Sequence, residues 1–199
     1  IQYLGKKEES VISRTVEKIA EKSYLSLVSE LKKDVSLGLK SRFEFERCLR
    51  DSCNIKEKNN IFVYFSIKHY QTVCRCAGFQ AGTQLIQFLS SFIIEHIKAL
   101  GSLFYTNTGE FFAIFSGKPE KEIQLILDEI LKKAEYMPFE WESAPYQTGF
   151  YIGMIIQNEC IATVDDILEL FDSFSLNKKN TWEGIYIHRI EKEPTVQKI

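Results

Sequence analysis

The sequence predicts an α/β sandwich, with helices packed on a central, mainly antiparallel sheet. Three observations predict it. Ile61–Ile67 is an almost unbroken apolar run of β-branched and aromatic residues, the pattern of a strand in the middle of a sheet. Ser102–Tyr105 and Phe111–Phe115 flank Thr106-Asn107-Thr108-Gly109, a hairpin turn signal. Stretches 80–98 and 119–136 carry apolar residues at helical spacing on one side only.

Taken in order, residues 8–33 are charged and helical, with a short heptad-like seam at Ala20, Tyr24, Leu27 and Leu31. They read either as a helix capping the domain or as the end of a coiled coil relaying a signal. A break follows at Asp34–Gly38, and Ser41 is the N-cap of a helix over 41–52. A polar loop at 56–60 leads into the central strand. Two helical pieces come next, 70–76 and 80–98. In the second, Gln80, Gln84, Gln87 and Ser91 form a polar stripe opposite Leu85, Leu89 and Ile93. Pro119 opens a helix to about Tyr136. Gln147–Ile156 is a strand, Thr163 caps a helix to about Leu176, and Glu183–Arg189 is the last strand. A strand, helix, hairpin, helix, strand core is palm-type or ferredoxin-like, an arrangement that hosts many chemistries.

Composition limits the function classes. The 199 residues are 45% hydrophobic and 26% charged, which suits one domain, or one domain with an appendage. The formal charge of −2 supplies no global field for nucleic acid or an anionic membrane. The five cysteines (Cys48, Cys53, Cys74, Cys76, Cys160) are odd in number, and a chain of this size needs no disulfide, so reduced thiols and a cytoplasmic address are expected. The uncharged run Cys76–Ile94 is too amphipathic for a membrane span, and no direct membrane insertion by this chain is expected. A start at Ile1 without a signal peptide suggests a piece of a longer protein, which leaves room for an anchor elsewhere.

Four stretches together resemble the GGDEF (diguanylate cyclase) domain. Asp34-x-x-x-Gly38-Leu39-x-x-Arg42-x-x-Phe45 is similar to its opening motif, and Gly78-x-x-x-Gly82 to its G-H-x-x-G-D. Thr108-Gly109-Glu110-Phe111-Phe112-Ala113-Ile114 stands in the place of the signature hairpin. Asp166-Ile167-Leu168-x-x-Phe171-Asp172, continuing to Leu176 and Lys179, resembles the terminal motif, and Gly153 matches a strand glycine. The resemblance covers residues 34–190. It implies a nucleotidyl-cyclase palm-like fold, with residues 1–33 as a signalling helix or linker and 191–199 as a tail. It also implies a link to cyclic di-GMP signalling.

The family joins two GTP molecules using divalent cations held by carboxylates. Against that pattern the site is depleted. Ser66 stands at the metal-binding acid of the central strand, and Phe111 at the fourth signature position. Thr108 replaces the first signature glycine, where backbone must approach phosphate closely. Glu110, in the third signature place, is the one remaining acid and a candidate metal ligand. The guanine-reading Asn and Asp positions are Cys74 and Thr83, and losing two such hydrogen bonds costs about 10²-fold in affinity. Lys179 matches a phosphate-binding lysine, Glu183 replaces an arginine, and the inhibitory product site falls at Ala99 and Ser102, where it is absent. The vestigial nucleotide positions are therefore Cys74, Gly82, Thr83, Thr108, Gly109 and Lys179. Trp182, where the family has glycine, reads as a plug on the phosphate side.

The expected function is a catalytically inactive GGDEF-like module for regulation, dimerisation or interaction, coupled to an upstream sensor or a partner domain. The alternatives are a nucleotide sensor that binds weak GTP without turnover, and a residually active cyclase. No cofactor is expected, and Mg²⁺ only where nucleotide binding survives. His69, Cys74 and Cys76 are a further metal or redox candidate, though C-x-C is an uncommon ligand spacing. His96 and His188 show no partner in the sequence, and Lys56, Lys58, Lys178, Lys179 and Arg189 read as a solvated basic face.

Overall fold

The computed structural model describes residues 33–34, 39–53, 59–97, 100–107, 109–157, 162–177 and 184–190. The elements run β1 (Lys33–Asp34), β2 (Leu39–Lys40), α1 (Arg42–Cys53), β3 (Asn60–Ile67), α2 (Tyr70–Ile97), β4 (Ser102–Asn107), β5 (Glu110–Ser116), α3 (Glu120–Glu135), β6 (Phe139–Trp141), β7 (Ala144–Tyr146), β8 (Phe150–Gln157), α4 (Val164–Asn177) and β9 (Ile185–Ile190). Residues 8–32 of the expected helix 8–33 and the tail 191–199 lie outside the described residues, and Lys33, placed at the end of that helix, instead begins β1, paired with Lys40.

Seven strands form one sheet in the order β1-β2-β4-β5-β3-β8-β9. The pairs β4–β5, β5–β3 and β3–β8 are antiparallel, whereas β2–β4 and β8–β9 are parallel. The sheet is thus mixed, with an antiparallel centre as expected. Every residue of β3 is buried, which explains its unbroken apolar sequence: helices cover both of its faces.

The two faces carry different cores. Against α2 and α3 the core is largely aliphatic, including Leu85, Leu89, Ile93, Ile123, Leu127 and Ile130. Against α1 and α4 it is aromatic, built on Phe45, Phe62, Tyr64, Phe104, Phe112, Phe171 and Phe174. Phe45 stacks on Phe112 at 4.6 Å between ring centroids. Each fully buried ring of this kind contributes about 1.5–3 kcal/mol of transfer free energy. Gly153 in β8 is needed because the Phe174 ring lies where a Cβ would be.

The helix ends follow their sequence signals. The Ser41 Oγ accepts from the Glu44 N–H at 3.5 Å. Thr163 and Asp166 cap α4 reciprocally: Asp166 Oδ2 accepts from the Thr163 N–H at 2.7 Å, and Thr163 Oγ1 accepts from the Asp166 N–H at 3.1 Å. The two helical pieces expected over 70–98 are joined through a kink at Gly78, whose φ of 89° suits glycine. The polar stripe of this helix faces outward, with Gln80, Gln84 and Ser91 exposed. Among the described residues no helix is long and apolar enough to cross a membrane.

Two features depart from the sequence reading. The hairpin β6–β7 was not expected, because its strands have three residues each and its turn uses Glu142 and Ser143 at positive φ instead of glycine or asparagine. His96 does have partners. Its Nδ1 meets the Phe92 carbonyl at 2.8 Å, and its Nε2 lies 3.4 Å from Lys133 Nζ.

Candidate functional site

The end of β3, the β4–β5 turn and the start of α2 converge at one end of the central strands. Antiparallel register places Ser66 directly opposite Glu110, and Phe65 opposite Phe111. Side chains alternate along a strand, so Glu110, Ser66 and Tyr64 share the aromatic face while Phe111 points into the aliphatic core. Phe111 is fully buried there, an environment in which an acid would have no charge partner.

Glu110 is held in place. Its Oε1 accepts hydrogen bonds from the Tyr64 hydroxyl at 2.7 Å and from Ser175 Oγ at 3.1 Å. The carboxylate therefore ties the hairpin to α4. Ser66, 3% exposed, brings a neutral hydroxyl to the position facing it. A divalent cation needs several hard oxygen ligands, with charge to offset its own. One carboxylate, already accepting from two hydroxyls and facing a serine, does not fit that requirement. Among the described residues no group of three or more His, Cys, Asp or Glu side chains could hold a metal ion. This includes His69, Cys74 and Cys76: His69 and Cys76 are exposed, while Cys74 is half-buried against Gly82.

On the other side of the turn the space is filled. Gly109 has φ +79°, so the second signature position still needs glycine, and its carbonyl accepts from the Ile67 N–H at 2.9 Å. The Tyr70 ring lies over it: a Cβ at Gly109 would come within 2.8 Å of Tyr70 Cγ. The same ring reaches Gly82, where a Cβ would also meet the Cys74 sulfur. Tyr70 and Cys74 thus close the gap between the signature turn and the second segment of α2. Burial, reinforced by the hydrogen bond with Cys74, pushes the Tyr70 phenol well above its ordinary value. Thr83 is half-buried, and its hydroxyl donates to the Phe79 carbonyl at 3.2 Å.

The structure therefore brings together Ser66, Glu110, Gly109, Cys74 and Gly82 around one end of the central strands. Thr108, Lys179, Lys178, Trp182, Glu183, Lys56 and Lys58 lie outside the described residues. Arg189, read as part of a basic face, instead pairs with Glu120 at 2.6 Å. Sequence reasoning missed Tyr64, Ser175 and Tyr70. Strand alternation from Ser66 points to Tyr64, and Tyr70 opens α2 right after the β3 turn. Ser175 gives no signal, because its role depends on how α4 packs.

No family model matches the chain, and no curated protein sequence matches it. Solved structures do. The coiled coil and GGDEF domain of DgcB from Caulobacter crescentus, in complex with c-di-GMP, aligns with a TM-score of 0.75 at 17% identity, over 91% of this chain and 98% of that one. The GGDEF domain of FimX from Pseudomonas aeruginosa gives 0.70 at 20% identity, over 79% of this chain and 99% of that one. The S helix-GGDEF-EAL region of LapD from Vibrio cholerae, bound to c-di-GMP, gives 0.68 at 16% identity, over 86% of this chain and 40% of that one. This chain therefore has the fold of GGDEF domains.

Proposed function

We propose that this chain is a GGDEF-fold module without cyclase activity, working as a regulatory, dimerisation or interaction domain within a cyclic di-GMP-type signalling protein. The observation that carries this reading is the state of Glu110. The one acid left at the signature hairpin faces Ser66 and accepts hydrogen bonds from Tyr64 and Ser175. Phosphoryl transfer of the cyclase kind needs cations to neutralise the phosphates and activate the attacking hydroxyl. Here the acid takes part in holding α4 to the hairpin. The packing of Cys74 and Tyr70 against Gly82 supports the same reading, since these side chains lie against the glycine that follows the kink.

The partner is a sensor or a second signalling domain joined to this one. The pairing of GGDEF with other modules in DgcB and LapD is a property of those proteins and supplies the model for it. The test is incubation of the purified chain with GTP and Mg²⁺ or Mn²⁺, with products separated by chromatography and mass. No cyclic di-GMP should form, and its formation would overturn the proposal.

A further inference from the structure

A second depression lies where the end of β3, the end of α3 and the approach to β8 meet. It encloses about 510 Å³ and is lined by Lys68, His69, Glu135, Tyr136, Gln147 and Thr148. Its walls are pinned, because the Lys68 N–H donates to the Gly149 carbonyl at 2.9 Å. Two independent features mark it. The first is a pair of opposite charges: Lys68 Nζ lies 3.3 Å from Glu135 Oε1, with the lysine side chain 24% exposed and the carboxylate 48%. The lysine is further fixed over the Tyr151 ring at 5.4 Å. The second is Thr148, which is 3% exposed and whose Oγ1 has no hydrogen-bond partner. A buried hydroxyl without a partner is costly, and Thr148 is one of the residues that line the cavity.

These groups select by charge. A lone anion on Lys68 or a lone cation on Glu135 would have to displace the existing Lys68–Glu135 contact without replacing it. A molecule with both charges a few bonds apart replaces one ion pair with two. We propose that this cavity binds a small zwitterion of the α-amino-acid class. Its carboxylate sits on Lys68 Nζ and Thr148 Oγ1, and its ammonium sits on Glu135. The exposed Tyr136 ring stands at the mouth, where the ligand's side chain emerges. The proposal does not rest on the loss of cyclase chemistry, since neither Lys68 nor Glu135 takes part in the contacts of Glu110.

The test is isothermal titration of the full chain with L-serine, L-leucine and L-aspartate, with acetate and methylammonium as single-charge controls. At least one amino acid should bind saturably at millimolar concentration or below, and neither control should. Lys68→Gln and Glu135→Gln should each weaken binding about tenfold or more. Thr148→Val gives the sharpest readout: with the unpartnered hydroxyl gone, the free protein should melt higher, yet bind about tenfold more weakly. The proposal falls if no amino acid saturates, if acetate or methylammonium binds as tightly, or if Thr148→Val leaves affinity unchanged.

Discussion

The two sides of the signature turn meet the same problem in different ways. On the α4 side the surviving acid stays polar and is satisfied: Tyr64 and Ser175 give it hydrogen bonds. On the α2 side the space itself is taken, by the Tyr70 ring and the Cys74 sulfur against two glycines. The first is a matter of directional bonds, the second of volume. The glycines at 82 and 109 now accommodate side chains of the chain itself.

Mutations can separate the two modes, set against the aromatic core that supports both. Phe45→Ala should have the largest effect, about 3–5 kcal/mol in urea unfolding, because the ring is fully buried and stacked on Phe112. A cost near that of a surface change would mean the aromatic layer is not the support described. Next comes the hydrogen-bonded side. Tyr64→Phe removes a donor to a carboxylate and should cost about 1.5–3 kcal/mol. Tyr70→Phe keeps the filling ring and should cost about 0.5–1.5 kcal/mol. Equal costs for the two tyrosines would erase the distinction between bonds and volume.

The smallest effect concerns the start of α4, which presents Ser175 to the hairpin. Thr163→Ala should cost about 1 kcal/mol through loss of the cap. The Thr163 N–H and hydroxyl hold the Asp166 carboxyl below its ordinary value of 3.8. A depressed carboxyl stabilises the fold above its unfolded pKa, and that contribution disappears as pH falls through the lower folded value. Thermal melts of the wild type and Asp166→Asn should therefore differ at neutral pH and converge in acid. A constant gap from pH 7 to pH 2 would contradict the assignment.

The fold was largely legible in the sequence because its main signals are local. Ile61–Ile67 could only be a central strand, and Gly78 already separated two helical pieces. The hairpin at 139–146 was hidden by its short strands and by a turn that places Glu142 and Ser143 in the left-handed region. The site was legible in part. Ser66, Cys74, Thr83 and Phe111 could be read as departures from a motif, position by position. What stands in their place depends on packing between distant segments: Ser175 is 65 positions from the glutamate it holds. Single-sequence patterns carry no information about such a pairing.

Across the kink at Gly78 the Cys74 sulfur lies against Gly82. Cys74 and Gly82 belong to one continuous stretch of chain, so the stopper and the wall it rests on cannot drift apart by diffusion. A tethered group competes at an effective concentration of about millimolar or more. On the proposed reading, a free molecule entering between them would compete with a side chain already held at that effective concentration.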